Sequence, residues 1–466
     1  MAVTYSNRMN AADALLWNNE RDPMLRSTIT SVMILDQPPA ELGFREAVHR
    51  TLARVPRLQQ RVVLDPLRAA PPRWERDPNF DLTFHVRRIR SAGKGTLRDL
   101  LDLAAPIAMH AFDKDRPLWE LHVVEGLEEG RAALILKLHH SVSDGVGMVR
   151  MTSSLVERSR VPTPRRSKST ASVLEEPGAG SAFEEALRAL RYRAEANLDL
   201  ASRVVSSIPR GLGRLLRDPA GAVDSARKMA GSLGRLLQPV SEPLSPVMVG
   251  RSASVRFDAL AVPLEDLKRS AKVAQGTLND AFVSAVAGGL RLYHQHHGKP
   301  VRELRMTMPI NLREGKKGEE AGNQFAPARF AVPIGTRDPV ERMREIHALV
   351  IAQRGEPALP MAEEISGVLV RLPRSFSVRL SGSMLKAIDF VTSNVPGPPF
   401  TVYSSGAKVE QMVGFGPLSG AAANVTLFSY DGTIQMGINT DPAAVQDPDV
   451  FVACIEKGLA EILSVS

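Results

Sequence analysis

The segment His139-His140-Ser141-Val142-Ser143-Asp144-Gly145 gathers two histidines, an aspartate and a glycine within seven residues. An imidazole at such a point can take a proton from an alcohol or amine near neutral pH, where small environmental changes tune its charge. An aspartate four residues on can fix the loop that holds it. A glycine next to that aspartate leaves room for a reacting molecule. As a pair of ordinary residues closing a hairpin, the histidines would need none of this company, so the constellation favours function.

The elements around the segment are legible from patterning. Trp119 to Leu127 reads as a strand, Glu128-Glu129-Gly130 as a turn, and the apolar run Ala132 to Leu138 as the returning strand of a hairpin. The two histidines fall at its end. Neighbouring residues of a strand face opposite ways, so one histidine is expected inside the protein and the other toward a cleft. Ser143-Asp144-Gly145 reads as a turn, with Asp bonding its own backbone and Gly accepting positive φ. Upstream, Ile29 to Leu35 reads as a strand, Phe44 to Val55 as a helix, and Phe80 to Val86 as another strand. After the motif, Met148, Met151 and Leu155 share one helix face.

Residues 156–180 are rich in Ser, Thr, Pro and Arg, which is a linker composition. A stripe follows at spacings of three and four, from Phe183 through Leu187, Leu190 and Leu198 to Ile208, on one helix face. It can pack on the body as a crossover or lie on a lipid surface. Two Leu-Gly-Arg-Leu-Leu pieces start at Leu212 and Leu233. From Ser252 an α/β pattern resumes. Ser254 to Val262 reads as a strand and Leu264 to Val273 as a helix. Thr277 caps a second helix over 281–294, with Asp280 three residues on. Leu304 to Pro309 and Phe325 to Val332 read as strands, the latter broken near Pro327. Ala422 to Tyr430 and Thr433 to Asn439 form a hairpin through Asp431-Gly432.

The motif H-H-x-x-x-D-G resembles that of acyltransferases related to chloramphenicol acetyltransferase and of peptide-synthetase condensation domains. The whole chain resembles more specifically the bacterial wax ester synthase/acyl-CoA:diacylglycerol acyltransferase family. The blocks that carry the likeness run in order: Asn10 to Trp17, Pro56-Arg57-Leu58, Pro117-Leu118-Trp119-Glu120, the histidine motif, Asn279-Asp280, Pro309 to Arg313, Gly322-Asn323, Thr392 to Pro398, and Ser429-Tyr430-Asp431-Gly432. Only about residues 155–250 lie outside it. Small departures stand at Asn311, where serine is usual, and at Asn10-Ala11, where Ser-Pro is frequent.

The resemblance implies an α/β (α+β) fold of two chloramphenicol acetyltransferase-like lobes, with an active-site tunnel at their interface and a helical crossover. The corresponding division is residues 1–155, 156–250 and 251–466. It also implies transfer of a fatty acyl group from acyl-CoA to the hydroxyl of diacylglycerol or of a long-chain alcohol, with no cofactor and no metal. By position in the motif His140 is the base, His139 a packing and orienting residue, Asp144 a loop holder and Gly145 either an access or a turn residue. Arg313 is the expected partner of Asp144. Asn279 is a candidate oxyanion donor or a helix-start residue like Asp280. Ser393 and Asn394 are expected to line the cleft beside a Pro/Gly-rich turn at 396–398.

Composition bounds the alternatives. Apolar content of 44% and charged content of 24% are globular values. The single cysteine, Cys454, permits no intrachain disulfide. No Cys/His spacing suggests a metal. His294, His296 and His297 read as a helix end before Gly298. No apolar run reaches bilayer length and no signal-peptide pattern opens the chain, so a cytoplasmic or peripheral protein is expected. Net charge is +8, and residues 151–250 hold 15 Lys and Arg against 10 Asp and Glu. That surplus suits CoA phosphates or an anionic membrane or lipid-droplet surface. Aromatics at 5% and the lack of a zinc-finger or RNP-type signature place nucleic acid last. Two rival readings stay open: a condensation-type acyltransferase with a carrier-bound donor, and a non-catalytic lipid-binding protein.

Overall fold

The computed structural model describes residues 5–65, 70–161, 191–194, 198, 224, 227–232, 234, 238–240, 242–311 and 325–465. Apart from isolated positions, the stripe from Phe183 to Ile208 and the two Leu-Gly-Arg-Leu-Leu pieces lie outside the described residues, as do Arg313, Gly322 and Asn323.

The first half runs α1 (Ala11–Asn19), β1 (Thr28–Leu35), α2 (Glu41–Arg54), β2 (Gln60–Val63), β3 (Arg73–Arg76), α3 (Leu82–His85), β4 (Val86–Arg90), α4 (Leu97–Met109), β5 (Trp119–Glu125), β6 (Ala132–His139) and α5 (Gly145–Thr152). The second runs β7 (Arg256–Pro263), α6 (Leu264–Val273), α7 (Leu278–His296), β8 (Glu303–Asn311), β9 (Phe325–Pro333), α8 (Pro339–Arg354), α9 (Ala362–Arg371), α10 (Arg374–Leu385), β10 (Phe390–Pro396), β11 (Tyr403–Ser404), β12 (Ala407–Phe415), β13 (Ala423–Tyr430), β14 (Thr433–Thr440) and α11 (Pro448–Leu463).

Two six-stranded sheets organise these elements, in the orders β11-β12-β1-β6-β5-β4 and β7-β14-β13-β10-β8-β9. Sheet membership does not follow chain order. β11 and β12, from the last quarter of the chain, complete the first sheet by antiparallel pairing of β12 with β1. Strand alternation divides the first sheet's side chains. Leu134, Leu136 and Leu138 pack with Val48, Leu52, Met148 and Met151 from α2 and α5. Ala133 and Ile135 pack with Leu100, Leu101 and Ala104 from α4. That second cluster also contains Phe257 of β7 and Phe415 of β12, whose rings stack at 4.2 Å, so it joins the two sheets. Arg98 of α4 adds an ion pair to Asp258 of β7 at 2.6 Å.

In the second half, the largest apolar cluster forms around α7, α11 and the strands of the second sheet. Two glycines inside the apolar stretch of α7 have a packing reason. A Cβ on Gly458 of α11 would stand 2.3 Å from the Gly289 nitrogen, so only glycines let these helices approach so closely. No described helix is long and apolar enough to cross a membrane.

Three local expectations need correction. Phe80 to Val86 is not one strand: Asp81 accepts the Thr83 amide at 2.9 Å and opens the short helix α3, so the strand begins only at Val86. A local side-chain bond offered the backbone an alternative to the ladder. β9 is not broken near Pro327, because it is the sheet edge, where a missing N–H is tolerated. The Thr392 to Pro398 block is mostly strand β10, paired in parallel with β13 from Phe390 to Pro396, with only Gly397 and Pro398 beyond it.

β10 and β8 pair only at Phe390–Met306 and Val391–Thr307, then part. A physical cause lies in β8. Pro309 faces Pro327 across the β8–β9 ladder. Two prolines opposite each other suit a non-hydrogen-bonded pair, which turns the missing N–H of Pro309 toward β10. The ladder cannot continue there, and the two strands diverge.

Candidate active site

β6 ends in a grip from both neighbours. The His139 N–H donates to Leu118 O at 3.0 Å, and the His140 N–H donates to Ser27 O at 2.8 Å. The chain then turns, with the Val142 N–H donating back to His139 O at 2.9 Å, and α5 begins at Gly145. Asp144 is the N-cap of α5: its Oδ1 accepts the Gly147 N–H at 2.6 Å. Its carbonyl takes the first helical bond, from the Met148 N–H at 2.8 Å. This is how the aspartate holds the loop, by satisfying an otherwise orphaned amide of the helix start.

The two histidines differ as strand alternation requires. His139 is 1% exposed, while His140 is partly exposed. The His139 ring lies edge-on to Trp17 and Phe112, both with centroids at 6.0 Å. Its Nδ1 accepts the Ser141 N–H at 3.1 Å, and the Ser141 hydroxyl stands 2.7 Å away. The ring proton is therefore assigned to Nε2, which stands 3.2 Å from Glu20 Oε1.

Both glycines at the start of α5 have steric reasons. A Cβ on Gly145 would lie 2.9 Å from Val395 Cγ2, so this position lets β10 of the second sheet press against the motif. Gly145 has no positive φ; its need is close approach and not a left-handed turn. A Cβ on Gly147 would lie 2.0 Å from Ser143 Oγ and 3.1 Å from Asp144 Oδ1. Gly147 was not singled out from sequence. Its two-residue spacing from Gly145 was the only available signal.

Val395 lies on β10 past its last pair with β8, so the strand that meets the motif is also the one that diverges. Ser393 and Asn394 sit on this diverging stretch, half-buried and exposed respectively. Asn279, in the first turn of α7, points its Nδ2 at Met308 Sδ of β8, 3.5 Å away. Asp280 has a structural job: it completes a capping box, accepting the Thr277 N–H at 2.7 Å, and it pairs with His347 at 2.7 Å. Asn279 and Asp280 are thus adjacent in sequence but differ in what they do. Trp119 is core, its indole N–H donating to Leu58 O at 2.7 Å.

Two cavities adjoin α5. One of about 240 Å³ is lined by Met148, Val149 and Thr152 of α5, by Met33 and Met412 of the first sheet, and by Phe428 of the second. A smaller one of about 30 Å³ lies between α2, α5 and the first sheet. Leu136, Met148 and Thr152 belong to both walls.

Below the motif, on the α4 side of the first sheet, a charged network is buried. Lys137 Nζ, fully buried, stands 3.0 Å from Glu120 Oε1 and 4.3 Å from the Phe112 ring centroid. His122 Nε2 is 3.2 Å from the other Glu120 oxygen. Burial pushes the Glu120 carboxyl up, but the bonds and charges of His122 and Lys137 outweigh it and hold it near 2, against an ordinary 4.5. A depressed carboxylate stabilises the fold above its unfolded pKa and loses that contribution as pH falls through the folded value. Stability is therefore expected to fall between about pH 4.5 and about pH 2, and Glu120→Gln is expected to flatten that slope in urea unfolding.

The comparisons agree with this architecture. Residues 9–282 match the wax ester synthase/diacylglycerol acyltransferase catalytic domain, and residues 321–463 match the C-terminal domain of the same family. A Mycobacterium tuberculosis (strain H37Rv) protein with an assigned diacylglycerol O-acyltransferase name is 37% identical over 99% of this chain and 92% of its own. A second one from that strain is 30% identical, over 94% and 93%. Among solved structures, a wax ester synthase/diacylglycerol acyltransferase from Marinobacter aquaeolei VT8 matches with TM-score 0.61 at 21% identity, over 98% of both chains. The first condensation domain of the calcium-dependent antibiotic synthetase matches with TM-score 0.60 at 16% identity, over 98% and 95%, a likeness of fold alone. The fold is thus the two-lobed one shared by condensation domains and acyltransferases. The chain belongs to the wax ester synthase/diacylglycerol acyltransferase family, and it is an acyltransferase.

Proposed function

We propose that the protein moves a long-chain fatty acyl group from acyl-CoA to the hydroxyl of diacylglycerol, of a long-chain alcohol, or of both, with His140 as the base. The observation that carries the reading is the contrast within the motif. His139 is buried and engaged by Ser141 and Glu20, whereas His140 has its backbone pinned and its side chain partly exposed.

The chemistry needs little more. The His140 imidazole takes the proton of the acceptor hydroxyl as its oxygen attacks the thioester carbonyl. The C–S bond then breaks, and the imidazolium returns the proton to the departing CoA thiolate. The thioester is already activated, so neither a cofactor nor an acyl-enzyme is required. Asn279 is the candidate donor to the developing oxyanion, since it stands in the first turn of α7 beside the part of β8 that no longer pairs with β10. Ser393 and Asn394 would line the same opening. Asp144 positions the loop by capping α5, and Arg313 is its proposed charge partner. The cavities along α5 are apolar enough to receive methylene chains.

The test uses palmitoyl-CoA with either a diacylglycerol or hexadecanol, following thiol release and ester. Ester with either acceptor supports the reading, and the preferred acceptor defines the activity. Ester only from an acylated carrier protein would move the protein to a condensation-type donor. Lipid binding without turnover would make it a non-catalytic lipid protein.

We further propose a cytoplasmic protein that attaches peripherally to an anionic membrane or lipid-droplet surface through residues 151–250. Their surplus of Lys and Arg supports this. In flotation assays it is expected to rise with phosphatidylserine-containing vesicles at low salt and to stay behind with phosphatidylcholine alone. Equal flotation with both would remove the electrostatic attachment.

A further inference from the structure

Glu20 closes α1, where the helix gives way to the loop before β1, and its side chain is 5% exposed. One oxygen, Oε1, does two things. It accepts the Ser27 N–H at 2.8 Å, and it faces His139 Nε2 at 3.2 Å. Ser27 in turn uses its carbonyl to accept the His140 N–H at 2.8 Å. A single buried oxygen is therefore linked to both histidines of the motif, to one through its ring and to the other through one residue, Ser27. His139 passes the constraint on, because its Nδ1 accepts the Ser141 N–H that shapes the turn after His140.

We infer that Glu20 is a positioning residue for the acyl transfer, setting the ring of His139 and the backbone of His140 through one carboxylate oxygen.

Its charge state suits the task. Burial pushes the carboxyl up, but the facing His139 ring, the Ser27 amide and the charge of Arg26 outweigh it, so the group is held below its ordinary value. An ionised acceptor makes the stronger bond to the Ser27 amide and the stronger attraction for the His139 Nε2 proton that faces it. With the His139 proton on Nε2, the Nδ1 lone pair stays available to Ser141. Without Glu20, the ring loses the carboxylate that its Nε2 faces, and the Ser27 amide loses its acceptor. The expected consequence is a small displacement of His140, the kind that costs rate without costing substrate affinity.

The inference rests on His140 being the base, so the variants are measured beside His140→Ala. Glu20→Ala is expected to lower kcat by on the order of 10-fold or more per folded molecule, with the KM for palmitoyl-CoA little changed. Glu20→Gln keeps an oxygen at the same place for both donors and is expected to recover most of kcat. Glu20→Asp, one methylene short, is expected to fall with Ala, and it serves if the alanine variant does not fold. Wild-type kcat in Glu20→Ala or in Glu20→Asp, or equal loss in Gln and Ala, would overturn the positioning role. Turnover retained in His140→Ala would instead overturn the reading of the base itself.

Discussion

His140→Ala is expected to lower kcat by roughly 10²- to 10⁴-fold, the range general base catalysis contributes, while the folded state survives. The reasons are separable. The backbone bond from His140 to Ser27 O does not depend on the side chain, and the residue is partly exposed and outside the apolar core. The variant should therefore unfold within a few degrees of wild type. KM for acyl-CoA should also hold, because an interaction used mainly in the transition state lowers kcat and not binding. A large fall in thermal stability would indicate a structural histidine instead.

Asp144 is expected to give the next largest effect, and its two candidate roles predict different variants. As N-cap of α5 it accepts the Gly147 N–H, and losing such a cap costs about 1 kcal/mol. α5 also carries Met148 and Thr152 in the cavity walls, and it starts where Gly145 meets Val395. A slack helix start would move the His140 loop and the cavity together. Asp144→Ala should thus lose stability and, through misplacement, on the order of 10²-fold in rate. Asparagine caps helices about as well as aspartate. If capping is the whole role, Asp144→Asn restores both stability and rate. If the carboxylate must also neutralise a cation, with Arg313 the candidate, asparagine restores stability but not rate. Thermal unfolding and kcat measured on the same two variants separate the cases.

Much of the local structure around the motif was legible. The hairpin, the two facings of His139 and His140, the capping box at Thr277 and the Asp431-Gly432 turn follow from period-two alternation, capping pairs and turn residues. Asp431 and Gly432 both take positive φ, as that hairpin turn demands. What patterning did not reveal was which sheet a strand joins. β12 loses its alternation after Gln411, and nothing in Ala407 to Phe415 tells that it pairs with β1 some 370 residues earlier. That choice is tertiary. It depends on surfaces such as the Gly414 carbonyl, which would stand 2.1 Å from a Cβ on Gly437.

Several family-like blocks also proved to be structural joints. Asn10 caps α1 by accepting the Asp13 amide. Trp119 of one block bonds to Leu58 of another. The Tyr430 hydroxyl donates to Val409 O at 2.8 Å and accepts the Val402 N–H at 3.0 Å, tying β13 to the returning strand. Glu20 escaped notice for the opposite reason. A lone glutamate after Asn18-Asn19 carries no spacing signal, and its significance appears only when α1, the loop before β1 and the end of β6 meet.

The most direct test of the proposed chemistry is a single-turnover quench with radiolabelled palmitoyl-CoA, using wild type and His140→Ala, with and without the preferred acceptor. Direct transfer promoted by His140 predicts labelled ester from wild type only when acceptor is present, no label left on the protein, and no comparable ester from His140→Ala. Label retained on the protein without acceptor, or ester from His140→Ala at near wild-type rate, would contradict it.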